Sequence, residues 1–198
     1  MPAMRSLPLA EAVKVIAAMP VKYAAIAAIG VTTGCRISEI LSLCRSDVLD
    51  EKGRIRQRIR FEQLKTRQEH SFRALGIPVN FRKYLVRHLL DEEQRGYERP
   101  DDLVFRGQLG KPLSRKSVYA FFRLTLGRGY GTHWMRKTFA QLLYAYFLTK
   151  TDAFQAIELV RRALGHRRIE TTIKYLGIRD DEIREAQNAI FNSAGSEN

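Results

Sequence analysis

Apolar positions recur at helical intervals along most of the chain, and one stretch alternates instead. Residues 9–19 place Leu9, Val13, Ile16 and Ala17 on one side of a predicted helix, and Pro20 marks its break. Residues 21–31 are Ala-rich and nearly all apolar, the pattern of a buried helix. Gly34 allows a turn, after which residues 36–43 read as another short helix. The period changes at residues 54–61, where Ile55, Ile59 and Phe61 share one face of a half-buried strand. A second extended piece, residues 70–79, can pair with it as a hairpin with Lys65 near the turn. Helical spacing resumes over 81–94, and 96–110 reads as a loop interrupted by the apolar 103–105. Ser114 is placed to cap a helix ending near Leu126, and Gly127, Gly129 and Gly131 mark a joint. Thr132 is placed to cap a helix over 133–147, and Asp152 another that reaches Leu164 and closes at Gly165. Two shorter helices are predicted over 169–176 and 180–191, followed by a frayed tail over 192–198. The expected fold class is mainly α with a small antiparallel β-sheet or hairpin.

Composition sharpens this picture. At 198 residues and 45% hydrophobic, the chain can bury a core, and we expect one domain over 1–191 with a flexible tail. Lys and Arg total 34 against 21 Asp and Glu, leaving a net charge of +13. Such an excess favours an extended anionic partner, usually nucleic acid, although a solubilising surface charge gives the same number. Arginine dominates the alternating stretch, as Arg54, Arg56, Arg58 and Arg60, and its planar fork suits phosphate oxygens. Cys35 and Cys44 form neither a disulfide framework nor a zinc spacing, which points to a reducing, intracellular setting. Arg5 and Glu11 interrupt the N-terminus where a signal peptide would need an apolar run. The charge-free stretch 23–35 is too short to span a bilayer. A soluble, cytoplasmic protein is expected.

Three segments carry candidate chemistry. In residues 33–40 (TGCRISEI), Gly34 lets the chain turn before a helix whose start presents Arg36, where free amide hydrogens also favour an anion. Glu39, three residues on, shares its face and can brace it. In residues 131–139 (GTHWMRKTF), His133 and Arg136 face one way as an exposed pair able to hold a phosphate, while Trp134, Met135 and Phe139 read as packing. In residues 164–175 (LGHRRIETTIKY), His166 and Tyr175 stand nine apart. One unbroken helix would put them on opposite faces, so they converge only if the chain breaks between them, and Gly165 with Arg167 and Arg168 supplies that break. Standing alone, each segment also fits an ordinary surface ion pair, a half-buried histidine or a core tyrosine.

Together and in this order, Arg36, His133 with Arg136, Leu164-Gly165-His166 and Tyr175 resemble the tyrosine recombinase (phage integrase) family. That family's signature is an early Arg, a His-x-x-Arg, a Leu-Gly-His and a tyrosine nine residues later. The resemblance runs from about Leu7 to Phe191. It implies the catalytic-domain fold of these enzymes, and a catalytic set of Arg36, Lys65, His133, Arg136, His166 and the nucleophile Tyr175, supported by Glu39. The family lysine lies in the hairpin, and Lys65 in residues 63–67 (QLKTR) is its best match. Two departures stand out. The family often has Asp after the first motif histidine, where this chain has Trp134. Larger members also carry an N-terminal DNA-binding domain, so the chain reads as a catalytic-domain-only member or as a fragment.

The implied activity is site-specific cleavage and rejoining of double-stranded DNA through a 3′-phosphotyrosine, giving integration, excision or inversion. It needs no cofactor, no metal and no ATP, because the arginines neutralise the phosphate and the bond energy is retained. The implied partners are DNA, further copies of the chain (a tetramer on two sites) and an accessory DNA-bending protein, in a cytoplasmic, nucleoid-associated setting with no membrane. Arg54, Arg56, Arg58, Arg60, Arg67, Arg115, Lys116, Arg123, Lys137, Arg167 and Arg168 are the expected DNA contacts. Ile183, Ala186, Ile190 and Phe191 form an apolar face that either docks on a neighbouring protomer or packs on the chain's own core. Three other readings compete. A type IB topoisomerase-like enzyme is disfavoured by the close His166–Tyr175 spacing. A non-catalytic DNA-binding accessory protein is disfavoured by the intact residue set, and a helix-turn-helix repressor by the ordered motifs.

Overall fold

The computed structural model describes residues 5–62 and 72–178. The predicted positions Lys65 and Arg67, the 180–191 helix with Ile183, Ala186, Ile190 and Phe191, and the 192–198 tail lie outside them. The chain divides into two compact units, the first reaching Leu142 and the second starting at Leu143.

In the first unit, α1 (Leu9–Ala18) packs on α2 (Val21–Thr33). The buried side of α1 agrees with the predicted one only at Ile16. Ala12, Ile16 and Met19 are buried at i, i+4 and i+7, whereas Leu9 and Val13 are exposed. Small Ala12 on the inner face is what a close approach of two helices requires, and the larger apolar residues are displaced outward. The α2 helix is buried nearly all round, from Ala24 through Val31, as its composition predicts. Its alanines let α1, α5 (Val79–Glu93) and α3 (Ile37–Leu41) pack around it.

Gly34 ends α2 in the left-handed region at φ 64. A Cβ there would lie 2.2 Å from Cδ1 of Phe139. Gly34→Ala therefore combines backbone strain with overpacking, and about 3 kcal/mol of stability should be lost in urea unfolding. An unchanged midpoint would mean that this turn relaxes freely.

After α4 (Arg45–Val48) the alternating stretch forms less strand than its pattern predicts. Strand β1 (Ile59–Glu62) pairs antiparallel with β2 (Phe72–Leu75), with Ile59 opposite Leu75 and Phe61 opposite Arg73. Ile59 and Phe61 are fully buried. Residues 54–56 fold back instead on the segment after α4: Ile55 bridges Leu49, and the Arg56 amide donates to the Val48 carbonyl at 2.8 Å. Gly53 at φ 70 makes that turn, so the upstream half of the predicted strand is spent on a local hairpin.

Helix α5 buries Phe81, Leu85, His88, Leu89 and Glu92. His88 stacks on Phe105 with ring centroids 5.0 Å apart, and its Nε2 lies 2.8 Å from the Val104 carbonyl. Burial pushes this imidazole down to about 4, so it is neutral at pH 7, and burial pushes the Glu92 carboxyl up. Buried Arg45 bonds to the Glu93 carboxylate. Helix α6 (Arg115–Leu126) starts at its predicted cap, where Ser114 Oγ accepts the Ser117 amide at 3.0 Å.

Helix α7 (Trp134–Leu148) begins one residue later than predicted and belongs to both units. The second unit continues with α8 (Ala153–Leu164), capped as predicted by Asp152 Oδ1 on the Gln155 amide at 2.9 Å, and with α9 (Ile169–Leu176), which packs on it. No helix among the described residues is long and apolar enough to cross a membrane.

Candidate active site

The site of the first unit is built where α2 gives way to α3. The left-handed turn at Gly34 redirects the chain, and Arg36 becomes the N-cap of α3 in an extended conformation. Glu39 reaches back one helical turn: its Oε2 accepts the Arg36 amide at 2.7 Å and its Oε1 accepts Arg36 Nη1 at 2.8 Å. The brace predicted from spacing is therefore present, and it is a buried one, with Glu39 only 1% exposed. One carboxylate caps the helix and holds the guanidinium, so Glu39→Ala should cost about 1–2 kcal/mol in chemical denaturation. A denaturation midpoint identical to wild type would show the cap to be idle.

Arg136 arrives from the first turn of α7. The sequence pattern places it on an exposed face, but the structure buries it at 3% exposure, and that expectation is corrected. Its guanidinium donates to the Gly34 carbonyl, which closes the same turn that positions Arg36. A left-handed glycine leaves its carbonyl without a helical partner, and a buried cation needs an acceptor, so each group satisfies the other. His133, immediately before α7, remains exposed as predicted. Arg36, His133 and Arg136 line one open pocket with Cys35, Ile37, Ser38, Thr132 and Arg115. The sequence places Arg115 on a helix as an expected DNA-backbone contact. Only the fold brings that first residue of α6 to the arginine pocket.

Trp134, at the position where the resembled family often has Asp, is fully buried and meets Phe122 edge-on at 5.7 Å between centroids. Its Nε1 has no hydrogen-bond acceptor among the described residues, so it serves the core rather than the pocket. Met135 is buried as predicted.

The second unit holds the other predicted pair. Helix α8 ends at Gly165, left-handed at φ 65, and the His166 amide donates to the Arg161 carbonyl at 3.0 Å. The chain then leaves helical geometry until α9 starts at Ile169 with Arg168 as its N-cap. This is the break that the nine-residue spacing demands. It brings the His166 and Tyr175 rings to 5.6 Å between centroids, tilted by 69°. His166 is buried, and its Nδ1 lies 3.0 Å from Thr172 Oγ1. Arg161 holds the segment from below: Nη1 donates to the His166 carbonyl at 2.6 Å, while Nε and Nη2 bond the two oxygens of Glu158, each at 2.6 Å. Those hydrogen bonds hold the Glu158 carboxyl below its usual range. Sequence reasoning missed Thr172 and Arg161. Thr172 was readable in principle, because it precedes Tyr175 by three residues on the same helix and so shares its face.

The predicted DNA contacts differ in their surroundings. Arg54 pairs with Asp50 at 2.9 Å, Arg56 Nε donates to the Ser46 carbonyl at 3.0 Å, and Arg58 donates to the Ala74 carbonyl from Nε at 3.1 Å and Nη2 at 2.8 Å. These three line an open groove with Arg82, a residue that no sequence motif singles out. Arg60, Lys116, Arg167 and Arg168 are exposed, and Arg123 and Lys137 are half-buried.

A model of the phage integrase family matches residues 6–182 of this chain. Over 160 residues the chain is 29% identical to the tyrosine recombinase XerH of Campylobacter jejuni, covering 78% of this chain and 40% of that protein. Among solved structures, XerH bound to palindromic difH substrate in a post-cleavage complex superposes with a TM-score of 0.66 at 24% identity, over 93% of this chain and 52% of that one. The XerA recombinase superposes at 0.67 and 21% identity, over 96% of this chain and 66% of that one. At these identities the superpositions establish a common fold. The chain spans about half the length of the relatives it matches, 40% of one and 52% of the other.

Proposed function

This chain belongs to the phage integrase family, and we propose that it is a site-specific DNA recombinase that cuts and rejoins double-stranded DNA through a 3′-phosphotyrosine. The observation that carries this reading is the approach of His166 and Tyr175 to 5.6 Å. Nine residues of continuous helix would forbid it, and the left-handed Gly165 with the non-helical step after it permits it.

In this reading Tyr175 attacks phosphorus. A P–O bond to the tyrosine forms as the P–O bond to the 5′ oxygen breaks. The phenol has an ordinary pKa of about 10 and needs help to lose its proton, for which His133 is the base or orienter. The departing 5′ oxygen takes a proton from Lys65. Charge gathering on the non-bridging oxygens is met by Arg36, Arg136 and His166. Each arginine is anchored in advance, Arg36 by Glu39 and Arg136 by the Gly34 carbonyl, so little ordering is left to the moment of reaction. Rejoining runs the same steps backwards with a new 5′ hydroxyl as nucleophile. The phosphotyrosine keeps the bond energy, so no ATP is consumed.

The basic groove of Arg54, Arg56, Arg58 and Arg82, with Lys116, Arg123, Lys137, Arg167 and Arg168, would position the DNA backbone without reading sequence. The proposed assembly is four protomers on two DNA sites, acting in the cytoplasm on the nucleoid.

The test is covalent trapping. Purified protein is incubated with nicked duplexes tiled across the DNA flanking its own gene, and then with a genomic library. A protein–DNA adduct that survives denaturant supports recombination chemistry. Tight DNA binding with no adduct in either set would replace this reading by that of a non-catalytic DNA-binding protein.

A further inference from the structure

Helix α5 carries a group of side chains that the recombination chemistry does not use. His88, Asp91 and Glu92 stand at i, i+3 and i+4 on one face, and their ligand-capable atoms lie within 4.8 Å of one another. Two of the three are buried, His88 at 0% and Glu92 at 2% exposure. None of the three lines the pocket of Arg36 and Arg136.

What sets the group apart is unmet hydrogen bonding. Among the described residues, His88 Nδ1 and both carboxylate oxygens of Glu92 are buried without a hydrogen-bond partner. Buried polar atoms are almost always paired, and three orphans in one cluster ask for a common partner. The neighbouring cations do not supply it. Lys22 Nζ donates to the Arg106 carbonyl at 2.5 Å. Arg106 pairs with Asp102 at 2.5 Å and covers the Tyr97 ring at 4.0 Å. Arg95 pairs with Asp91 at 3.1 Å and comes no closer to Glu92 than 4.0 Å.

The histidine is also set up as a ligand. Its Nε2 lies 2.8 Å from the Val104 carbonyl, so the ring proton sits there and the Nδ1 lone pair is left facing inward. A backbone carbonyl behind the imidazole is the usual outer support of a metal-bound histidine, fixing tautomer and orientation together. Asp91 and Glu92 line an open cavity with Lys22, Arg95 and Arg106, which gives an ion a path in.

We propose that His88, Asp91 and Glu92 bind one divalent cation of the zinc type, through one imidazole nitrogen and two carboxylates, leaving a further position to water. Binding would draw Asp91 away from Arg95. Through His88 and the Val104 carbonyl it would also tie α5 to the segment around residue 104. The site is structural and independent of strand cleavage.

The full chain, stripped with a chelator, is titrated with Zn²⁺ by calorimetry and melted with and without the ion. One equivalent should bind with micromolar affinity or better, and saturation should raise the melting temperature by about 5 °C. Glu92→Gln, nearly isosteric and uncharged, should weaken binding by about tenfold or more. Asp91→Asn, on a more exposed residue, should do the same and decides the question if the first variant fails to fold. No Zn²⁺ binding by the wild type overturns the site, as does wild-type affinity in Glu92→Gln, since that leaves the zinc on other histidines or cysteines.

Discussion

Replacing Tyr175 with phenylalanine is expected to abolish the covalent protein–DNA adduct altogether while leaving DNA affinity within about twofold of wild type. The expectation follows from one atom. The phenolic oxygen is the atom that would bond to phosphorus, and phenylalanine cannot form that bond however well the rest of the site is arranged. The substitution keeps the ring, so the edge-to-face contact with His166 at 5.6 Å has no reason to be lost, and the end of α9 keeps its packing. Backbone affinity should rest on cations spread along the chain, such as Arg54, Arg56, Lys116 and Arg167. Trapping on a nicked duplex, with binding measured in parallel, reads both quantities. The chain has eight tyrosines. An adduct persisting in Tyr175→Phe would assign the nucleophile to another of them and remove the central role given to the His166–Tyr175 pair.

The second large effect is expected at the two arginines. Alanine at Arg36 or Arg136 should slow single-turnover cleavage by about 10²–10³-fold each, the usual consequence of losing one preorganised donor to developing negative charge. The two variants should nevertheless differ in stability. Arg136 is buried and its guanidinium satisfies the Gly34 carbonyl, so its removal strands an acceptor and leaves a hole, costing about 2 kcal/mol. Arg36 is half-exposed, and Glu39 would still accept the residue 36 amide after truncation, so that variant should lose about 1 kcal/mol or less. Arg136→Lys keeps the charge but not the fork, and should cleave far more slowly than wild type. Cleavage and filter binding measured on the same preparations separate transition-state stabilisation from docking. Parallel losses of binding and cleavage in both alanine variants would contradict the assigned roles and make the pair an anchoring site.

Much of this was legible without coordinates, wherever the cause is local. Ser114 and Asp152 cap the helices they were expected to cap, because a side-chain oxygen three residues before an orphan amide needs no tertiary help. Gly165 closes α8, and α9 spans the predicted 169–176. The Arg36–Glu39 brace follows from helical geometry over a single turn. Pattern reading failed where a distant partner decided the outcome. The buried side of α1 depends on what α2 presents, and amphipathic spacing alone could not choose Ala12 over the larger Leu9 and Val13. The stretch 54–58 alternates like a strand, yet a turn at Gly53 claims its first residues for a bridge to Leu49.

The family resemblance, the mainly helical class and the order of the chemical groups are readable from the chain alone, since those rest on residue types at short, defined separations. Tertiary structure decided which of those groups are buried and what holds them. The bond from Arg136 to the Gly34 carbonyl joins residues 102 positions apart, and Arg115 enters the arginine pocket from another helix. His88 and Glu92 became orphaned polar atoms only once α2, α5 and the segment around Phe105 were packed around them. Propensity and capping act through bonds a few residues long, whereas burial depends on everything that closes over a side chain. No local pattern encodes that.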